Sequence, residues 1–342
     1  MTATASLADR VVAGEQAAIA RLLTRIERRS PGVDEVISAL VRRAGRAHVV
    51  GVTGPPGGGK STLVSALAAQ YRRAGRTVGI IAVDPSSVLS GGAILGDRIR
   101  MSALAGDAGV FIRSIATRGA PGGLPRAALD AVTTLDAAGK DVVVLETVGV
   151  GQAEVDVITA AQTVAVVSVP GMGDAVQASK AGLLEVADVH VVNKSDRDGA
   201  ARTVAELTDM LRLAPPAPGQ WQVPVVSTVA ATGEGVGDLI ERFDGHRAWL
   251  ADSGEGQRRA RRTTAARIRW IAEQLVADRL RAGHPDFDRA VDEVTERGGD
   301  PVAAARRLVQ RGLGAGAEDA AAGSDPPDSD PAGSDPEGSA RR

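Results

Sequence analysis

Seven short runs rich in β-branched residues, HVVGVT, TVGIIAV, GVFIRS, DVVVLET, TVAVVSV, DVHVVN and VPVVS, recur between about residues 46 and 250, separated by stretches with helical spacing. Near-continuous apolar strands without polar alternation cannot leave one face in water. They predict an α/β fold whose mostly parallel sheet is covered by helices on both sides. With 44% hydrophobic residues in 342, the chain has enough apolar material for such a core.

The flanking segments follow a different period. Leu7, Val11, Ile19, Leu22, Leu23, Ile26, Val36, Ile37, Leu40 and Val41 recur at helical spacing and are interrupted by Ser30-Pro31-Gly32. They predict an N-terminal helical extension over 1–45, ahead of the α/β domain over 46–250. Helical spacing returns over 251–312, through Ile268, Trp270, Ile271, Leu275, Val276, Leu280, Val291, Val294, Val302, Leu308 and Val309. From about 313 to 342 the chain repeats a Ser-Asp-Pro unit and has few apolar side chains, so a disordered acidic tail is expected there.

Composition narrows the chemistry. The absence of cysteine removes disulfides, thiolate metal sites and thiol catalysis. A net charge of −2, with only three Phe, one Tyr and three Trp, gives nucleic acid neither an electrostatic footprint nor stacking platforms. MTATASLADR has no basic n-region or apolar h-region, and no apolar run approaches the roughly 18 residues of a spanning helix. These features predict a soluble cytoplasmic protein without membrane or nucleic-acid partners.

Only four of the forty basic residues are lysine, and two of them, Lys60 and Lys194, lie in segments suited to a nucleotide. An ammonium is a compact, flexible donor that fits where a planar guanidinium cannot. Directly after the strand HVVGVT come Gly54-Pro55-Pro56-Gly57-Gly58-Gly59-Lys60-Ser61, a GxxxxGK[ST] match, followed by the helical Thr62-Leu63-Val64. Gly54, Gly57, Gly58 and Gly59 let backbone amides turn toward phosphate oxygens, and the helix N-terminus adds positive charge. Lys60 is expected on the β- and γ-phosphates, the Ser61 hydroxyl on Mg²⁺, and Thr62 beside them.

Asn193-Lys194-Ser195-Asp196 follows the strand DVHVV. A carboxylate at Asp196 can accept two hydrogen bonds from the N1–H and N2–H₂ edge of guanine, and adenine offers no such pair. Asn193 would support the purine and its loop, and the Lys194 stem would cover the ring. Alone the tetrapeptide also reads as a turn after a strand, but following a phosphate loop it points to GTP and GDP. Ser227-Thr228, at the end of VPVVS, is a candidate third base-side loop. Asp84 in VDPSS, Asp97 in GGAILGDRIRM and Glu146 in ETVGVGQAE are candidate acids for Mg²⁺ and hydrolysis, with Gly149 offering an amide to the γ-phosphate. Asp84 also reads as a strand-ending Asp-Pro turn, and Asp97 as a helix-initiating acid. Lys180 reads as a solvated helix lysine, Lys140 as an exposed turn lysine, and the four histidines as structural.

The blocks GVTGPPGGGKSTL, VDPSS, GGAILGDRIRM, FIRSIATRG, ETVGVGQAEV, QASKAGLLEVADVHVVNKSD and ATGEGV together resemble the MeaB/ArgK GTPases, over about residues 50 to 237. The resemblance implies a P-loop G domain with helical extensions and a homodimer made through a C-terminal arm. It implies a chaperone of an adenosylcobalamin-dependent acyl-CoA mutase, chiefly methylmalonyl-CoA mutase, that couples GTP hydrolysis to cofactor delivery without binding cobalamin itself. It also places Lys180 in a switch segment. A nickel metallochaperone of the same GTPase class is disfavoured by the missing cysteines, and a nucleotide-dependent kinase by NKSD.

Overall fold

Strand β1, His48–Thr53, is buried at every position and lies near the middle of a seven-stranded sheet. The structure, a computed structural model, describes residues 6–84, 104, 106–116, 126–147, 160–171 and 186–310. The other strands are β2 (Val78–Asp84), β3 (Val110–Ala116), β4 (Val142–Thr147), β5 (Thr163–Ser168), β6 (Val189–Asn193) and β7 (Val225–Thr228). Their order is β3-β2-β4-β1-β5-β6-β7, and every pairing is parallel. The expected mostly parallel α/β sheet is therefore observed.

Ahead of the sheet come α1 (Leu7–Val12), α2 (Gln16–Glu27) and α3 (Val33–Val41). A capping box starts α1, with the Ser6 hydroxyl accepting from the Asp9 N–H and the Asp9 carboxylate from the Ser6 N–H. Gly32, at φ 74°, supplies the left-handed turn into α3. The apolar stripe Ile19, Leu22, Leu23 and Ile26 is buried, as are Ile37 and Leu40, whereas Val41 at the end of α3 is 50% exposed. These side chains join one core with Leu135 of α5 (Arg126–Ala137), Leu145 and Val166. The N-terminal helices thus cover one face of the sheet. The Asp136 carboxylate fastens their linker by accepting from the backbone N–H of Gly45 at 2.7 Å and of Arg46 and Ala47 at 3.0 Å.

The opposite face is covered by α4 (Lys60–Arg73) and α7 (Val236–Asp252), whose Leu63, Leu67, Leu239 and Phe243 pack on Val50, Val144, Val167 and Val191. Helix α6 (Ala200–Leu213) joins β6 to β7.

At the N-terminal ends of the strands lies a buried polar cluster. His48 Nε2 is 2.8 Å from Thr163 Oγ1, which is 2.9 Å from His246 Nδ1, and His246 Nε2 is 3.3 Å from Asp188 Oδ1. Arg259, in α8 (Glu255–Arg279), donates to both Asp188 oxygens at 2.7 and 2.6 Å. The Trp221 indole donates to the Asp188 carbonyl, and its ring lies 4.9 Å from that of His246. For His48 and His246 the expectation of a structural role fits these contacts. Lys140 departs from expectation. It is buried, donates from Nζ to the Gly109 carbonyl at 3.3 Å, and has its pKa lowered by that burial and by Arg72. The turn after α5 is tucked against the start of β3, so its lysine is largely withdrawn from water.

The chain forms two units, Met1–Thr264 and Ala265–Arg342. In the second, α9 (Pro285–Arg297) is capped by His284 Nδ1, which accepts from the Asp286 N–H, and ends at Gly298 in the left-handed region. A further helical run covers 301–310. Ile268, Leu275, Val291 and Val302 are exposed. No helix among the described residues is long and apolar enough to cross a membrane.

Candidate nucleotide site

The strand order reverses at β1. The chain leaves β1 through α4 for β2 on one side, and later passes from β4 across β1 to β5 on the other. A crevice opens at such a switch point, beyond the carboxyl ends of the strands. Residues 54–59 fill the β1–α4 connection there.

The glycines in this loop have specific steric reasons. Gly54 has φ 136°, and a Cβ on it would lie 2.1 Å from the Val167 carbonyl oxygen. Gly59 has φ 81°, and its Cβ would fall 2.5 Å from Asn193 Nδ2. Gly57 also has positive φ, and Gly58 sits close against the Pro55 carbonyl. The loop feeds α4 with Gly59 at its N-cap, so the first-turn amides of α4 face the crevice.

Lys60 is 6% exposed, and its ammonium donates to the Gly54 carbonyl at 2.7 Å and the Pro55 carbonyl at 3.0 Å. Its charge is thereby held inside the loop. The Ser61 hydroxyl donates to Glu146 Oε1 at 2.6 Å, because adjacent parallel strands place the end of β4 beside the start of α4. Thr62 is exposed on the same turn. Among the described residues no group of three or more His, Asp or Glu side chains is placed to hold a metal ion. One hydroxyl and one carboxylate at the foot of a phosphate loop still suit Mg²⁺, which takes few protein ligands and completes its shell with phosphate and water.

Asn193 is 1% exposed and joins three loops. Its Nδ2 donates to the Gly58 carbonyl at 2.9 Å, and its Oδ1 accepts from Thr228 Oγ1 at 3.2 Å and from the Ala230 N–H at 3.1 Å. Its side chain therefore supports the loops. Lys194 takes a left-handed φ of 58° and donates from Nζ to the Gly57 carbonyl at 2.7 Å, laying its stem along the phosphate loop. The Ser195 N–H donates to the Thr228 carbonyl, and Asp196 is exposed at the rim. Ser227 points outward and is exposed; Thr228 and Ala230 reach Asn193 instead. The alternation within a four-residue strand carried that signal, since only one of two adjacent hydroxyls can face inward.

The structure thus brings Gly54, Gly57, Gly58, Gly59, Lys60, Ser61, Glu146, Asn193 and Lys194 together. Asp84 ends β2 two strands from β1, with its backbone paired to Ala116. Asp97, Gly149 and Lys180 lie outside the described residues.

The profile of the family described as methylmalonyl-CoA mutase-associated GTPase MeaB matches residues 19–285. The chain belongs to the MeaB family. It is accordingly a P-loop GTPase that binds guanine nucleotides, as the phosphate loop, NKSD and their common frame require. A Pyrococcus horikoshii relative bearing a GTPase name is 44% identical over 310 residues, covering 90% of this chain and 98% of its own. The GTPase ArgK of Escherichia coli is 35% identical over 285 residues, covering 81% of this chain and 85% of its own. A crystal structure of a protein described as a LAO/AO transport system kinase superposes with a TM-score of 0.64 at 29% identity, covering 89% of this chain and 95% of that one. These relatives thus share most of this chain's length.

Proposed function

We propose that this GTPase is a Mg²⁺-dependent switch that chaperones an adenosylcobalamin-dependent acyl-CoA mutase, with methylmalonyl-CoA mutase the first candidate. The observation that carries the reading is the junction at Asn193, which makes the phosphate loop and the guanine-side loops one frame. Such a frame suits a protein that must sense which guanine nucleotide it holds. The mutase partner is supported by the family's description.

In this reading Lys60 and the first-turn amides of α4 hold the charge that develops on the transferred phosphoryl group. Ser61 and Glu146 hold Mg²⁺, which supplies further charge stabilisation when bound. Asp84 and Asp97 are further acids for the cation or the attacking water, and Gly149 offers a backbone donor. Asp196 reads the guanine edge from the rim, the Lys194 stem covers the base, and Thr62 and Ser227 flank the nucleotide. Lys180 belongs to a switch that responds to nucleotide and mutase. The chain works as a cytoplasmic homodimer through the helices of 251–312, where Ile268, Leu275, Val291 and Val302 offer an apolar surface. It binds no cobalamin itself.

Phosphate release from GTP, measured with and without the mutase, tests the proposal. Lys60→Ala is expected to slow hydrolysis by about 10²-fold or more, and the mutase to accelerate the wild type. Full hydrolysis by Lys60→Ala would remove the mechanism. No acceleration, together with no mutase complex in either the GDP or the GTP-analogue state, would remove the chaperone role. The kinase description of the solved relative raises a second reading, which predicts label from [γ-³²P]GTP on an acceptor; the GTPase reading predicts it all as inorganic phosphate.

A further inference from the structure

Two buried threonines occupy the last positions of the central strands β1 and β4. Thr53 and Thr147 are both 0% exposed, and the Thr147 hydroxyl lies 3.0 Å from that of Thr53. Their strands are in parallel register up to Val52 opposite Glu146, so the two hydroxyls meet one step further along. Side chains alternate across a sheet. Glu146 therefore faces α4 and Ser61, while Thr147 faces the core of α5 and the N-terminal helices, on the side of Leu145, Val49 and Val166.

Valine has the shape of threonine, favours strands at least as well, and carries no hydroxyl to desolvate. Elsewhere β1 and β4 use it freely, in HVVGVT and VVVLET. A hydroxyl pair in this apolar layer is the costlier choice for stability, and its location suggests what it does. The residue after Thr53 is Gly54, whose carbonyl accepts from Lys60, and the residue before Thr147 is Glu146, which accepts from Ser61. The pair ties the root of the phosphate loop to the root of its acid from beneath. The Ser61–Glu146 hydrogen bond ties the same two elements from above, and it is the one that must yield when Ser61 and Glu146 turn to a cation.

We infer that Thr53 and Thr147 are positioning residues for GTP hydrolysis. Their bridge holds the Glu146 carboxylate at a fixed lateral distance from Lys60 and Ser61 while the upper contact is exchanged. The inference rests on the proposed role of Glu146 in hydrolysis. It predicts an effect on turnover with little effect on nucleotide affinity, because the amides and glycines of the phosphate loop do not depend on the bridge.

The experiment compares Thr53→Val, Thr147→Val, the double variant and Thr147→Ser. It measures single-turnover GTP hydrolysis, affinity for a non-hydrolysable GTP analogue, and thermal midpoint. Each single valine strands one buried hydroxyl, so about tenfold slower hydrolysis with affinity within about twofold is expected, together with a lowered midpoint. Thr147→Ser should stay near wild type. The double variant leaves no stranded hydroxyl, so its midpoint should return toward wild type. Its turnover should stay as low as in the single variants, because both members of one contact are lost together. Recovery of turnover along with stability would reduce the pair to ordinary packing and overturn the inference, as would unchanged turnover in the single variants or a parallel fall in affinity. Glu146→Gln separates the underlying reading: if it hydrolyses GTP normally, the role given to Glu146 fails, whatever the threonine variants do.

Discussion

Acidification from pH 7 to pH 5.5 should weaken this protein through its buried histidines. His48, His190 and His246 are all 0% exposed. Burial pushes His48 down to about 3, with Arg247, Arg76 and His246 adding to the effect. It pushes His190 down to about 4. It also pushes His246 down to about 4, Arg259 adding to the fall and Asp188 opposing it. In the unfolded chain each returns to an ordinary 6.5 and takes up a proton as pH falls, while the folded chain stays neutral. The unfolded state then binds more protons, so stability falls with falling pH across the window below 6.5 and continues to fall until the folded histidines themselves titrate.

Between pH 7 and 5.5 each histidine contributes about 1.2 kcal/mol of loss, and the three together about 4 kcal/mol, a large part of the stability of an ordinary domain. The figure depends little on how far each value is depressed, because all three lie well below 5.5. Asp107, held low by its hydrogen bonds to Arg72 and Gly109, and Asp141, held low by Thr77, add losses only nearer their ordinary value of 3.8. Urea denaturation followed by far-ultraviolet circular dichroism at pH 7.0, 6.5, 6.0 and 5.5 measures the effect. His190→Leu removes a ring whose two nitrogens have no hydrogen-bond partner among the described residues. It should therefore keep its stability at pH 7 and lose about 2.5 kcal/mol over the same range. A wild-type loss below about 1 kcal/mol, or an identical slope in His190→Leu, would refute the reasoning.

Asp188→Ala should cost about 3 to 5 kcal/mol at pH 7, because it leaves Arg259 and the nearby His246 without their carboxylate; a midpoint shift worth less than about 1 kcal/mol would show that the pair is solvated. Gly59→Ala should abolish GTP binding by equilibrium dialysis, since its Cβ would meet Asn193 Nδ2 at 2.5 Å in a left-handed backbone and break the loop junction. Retained affinity would mean that the junction relaxes.

The sheet was legible because β-branched runs without polar alternation have one sensible destination, and the phosphate loop because its glycines sit directly after such a run. The same reasoning stopped at what depends on distant partners. The N-terminal stripe of Ile19, Leu22 and Leu23 announced a buried face but could not say that Leu135 and Val166 cover it. Lys140 read as exposed because a lysine in a turn usually is, and only the fold tucks that turn against Gly109. Asp188 and Arg259 are 71 positions apart, and no local pattern joins them. Thr53 and Thr147 were invisible for a further reason. Each is unremarked at the end of a strand, and only the strand order makes them neighbours.

The packing of α1, α2 and α3 against α5 opposes the order of synthesis to the order of burial. These helices leave the ribosome before α5, and at 6, 12 and 9 residues none is long enough to persist alone in water. Their apolar face finds its partners only once α5, β4 and β5 exist, roughly a hundred residues and on the order of ten seconds of translation later. During that interval Leu22 and Leu23 travel uncovered on a nascent chain. These helices are thus made well before the elements that shelter them, and the crowded cell must carry them across the gap.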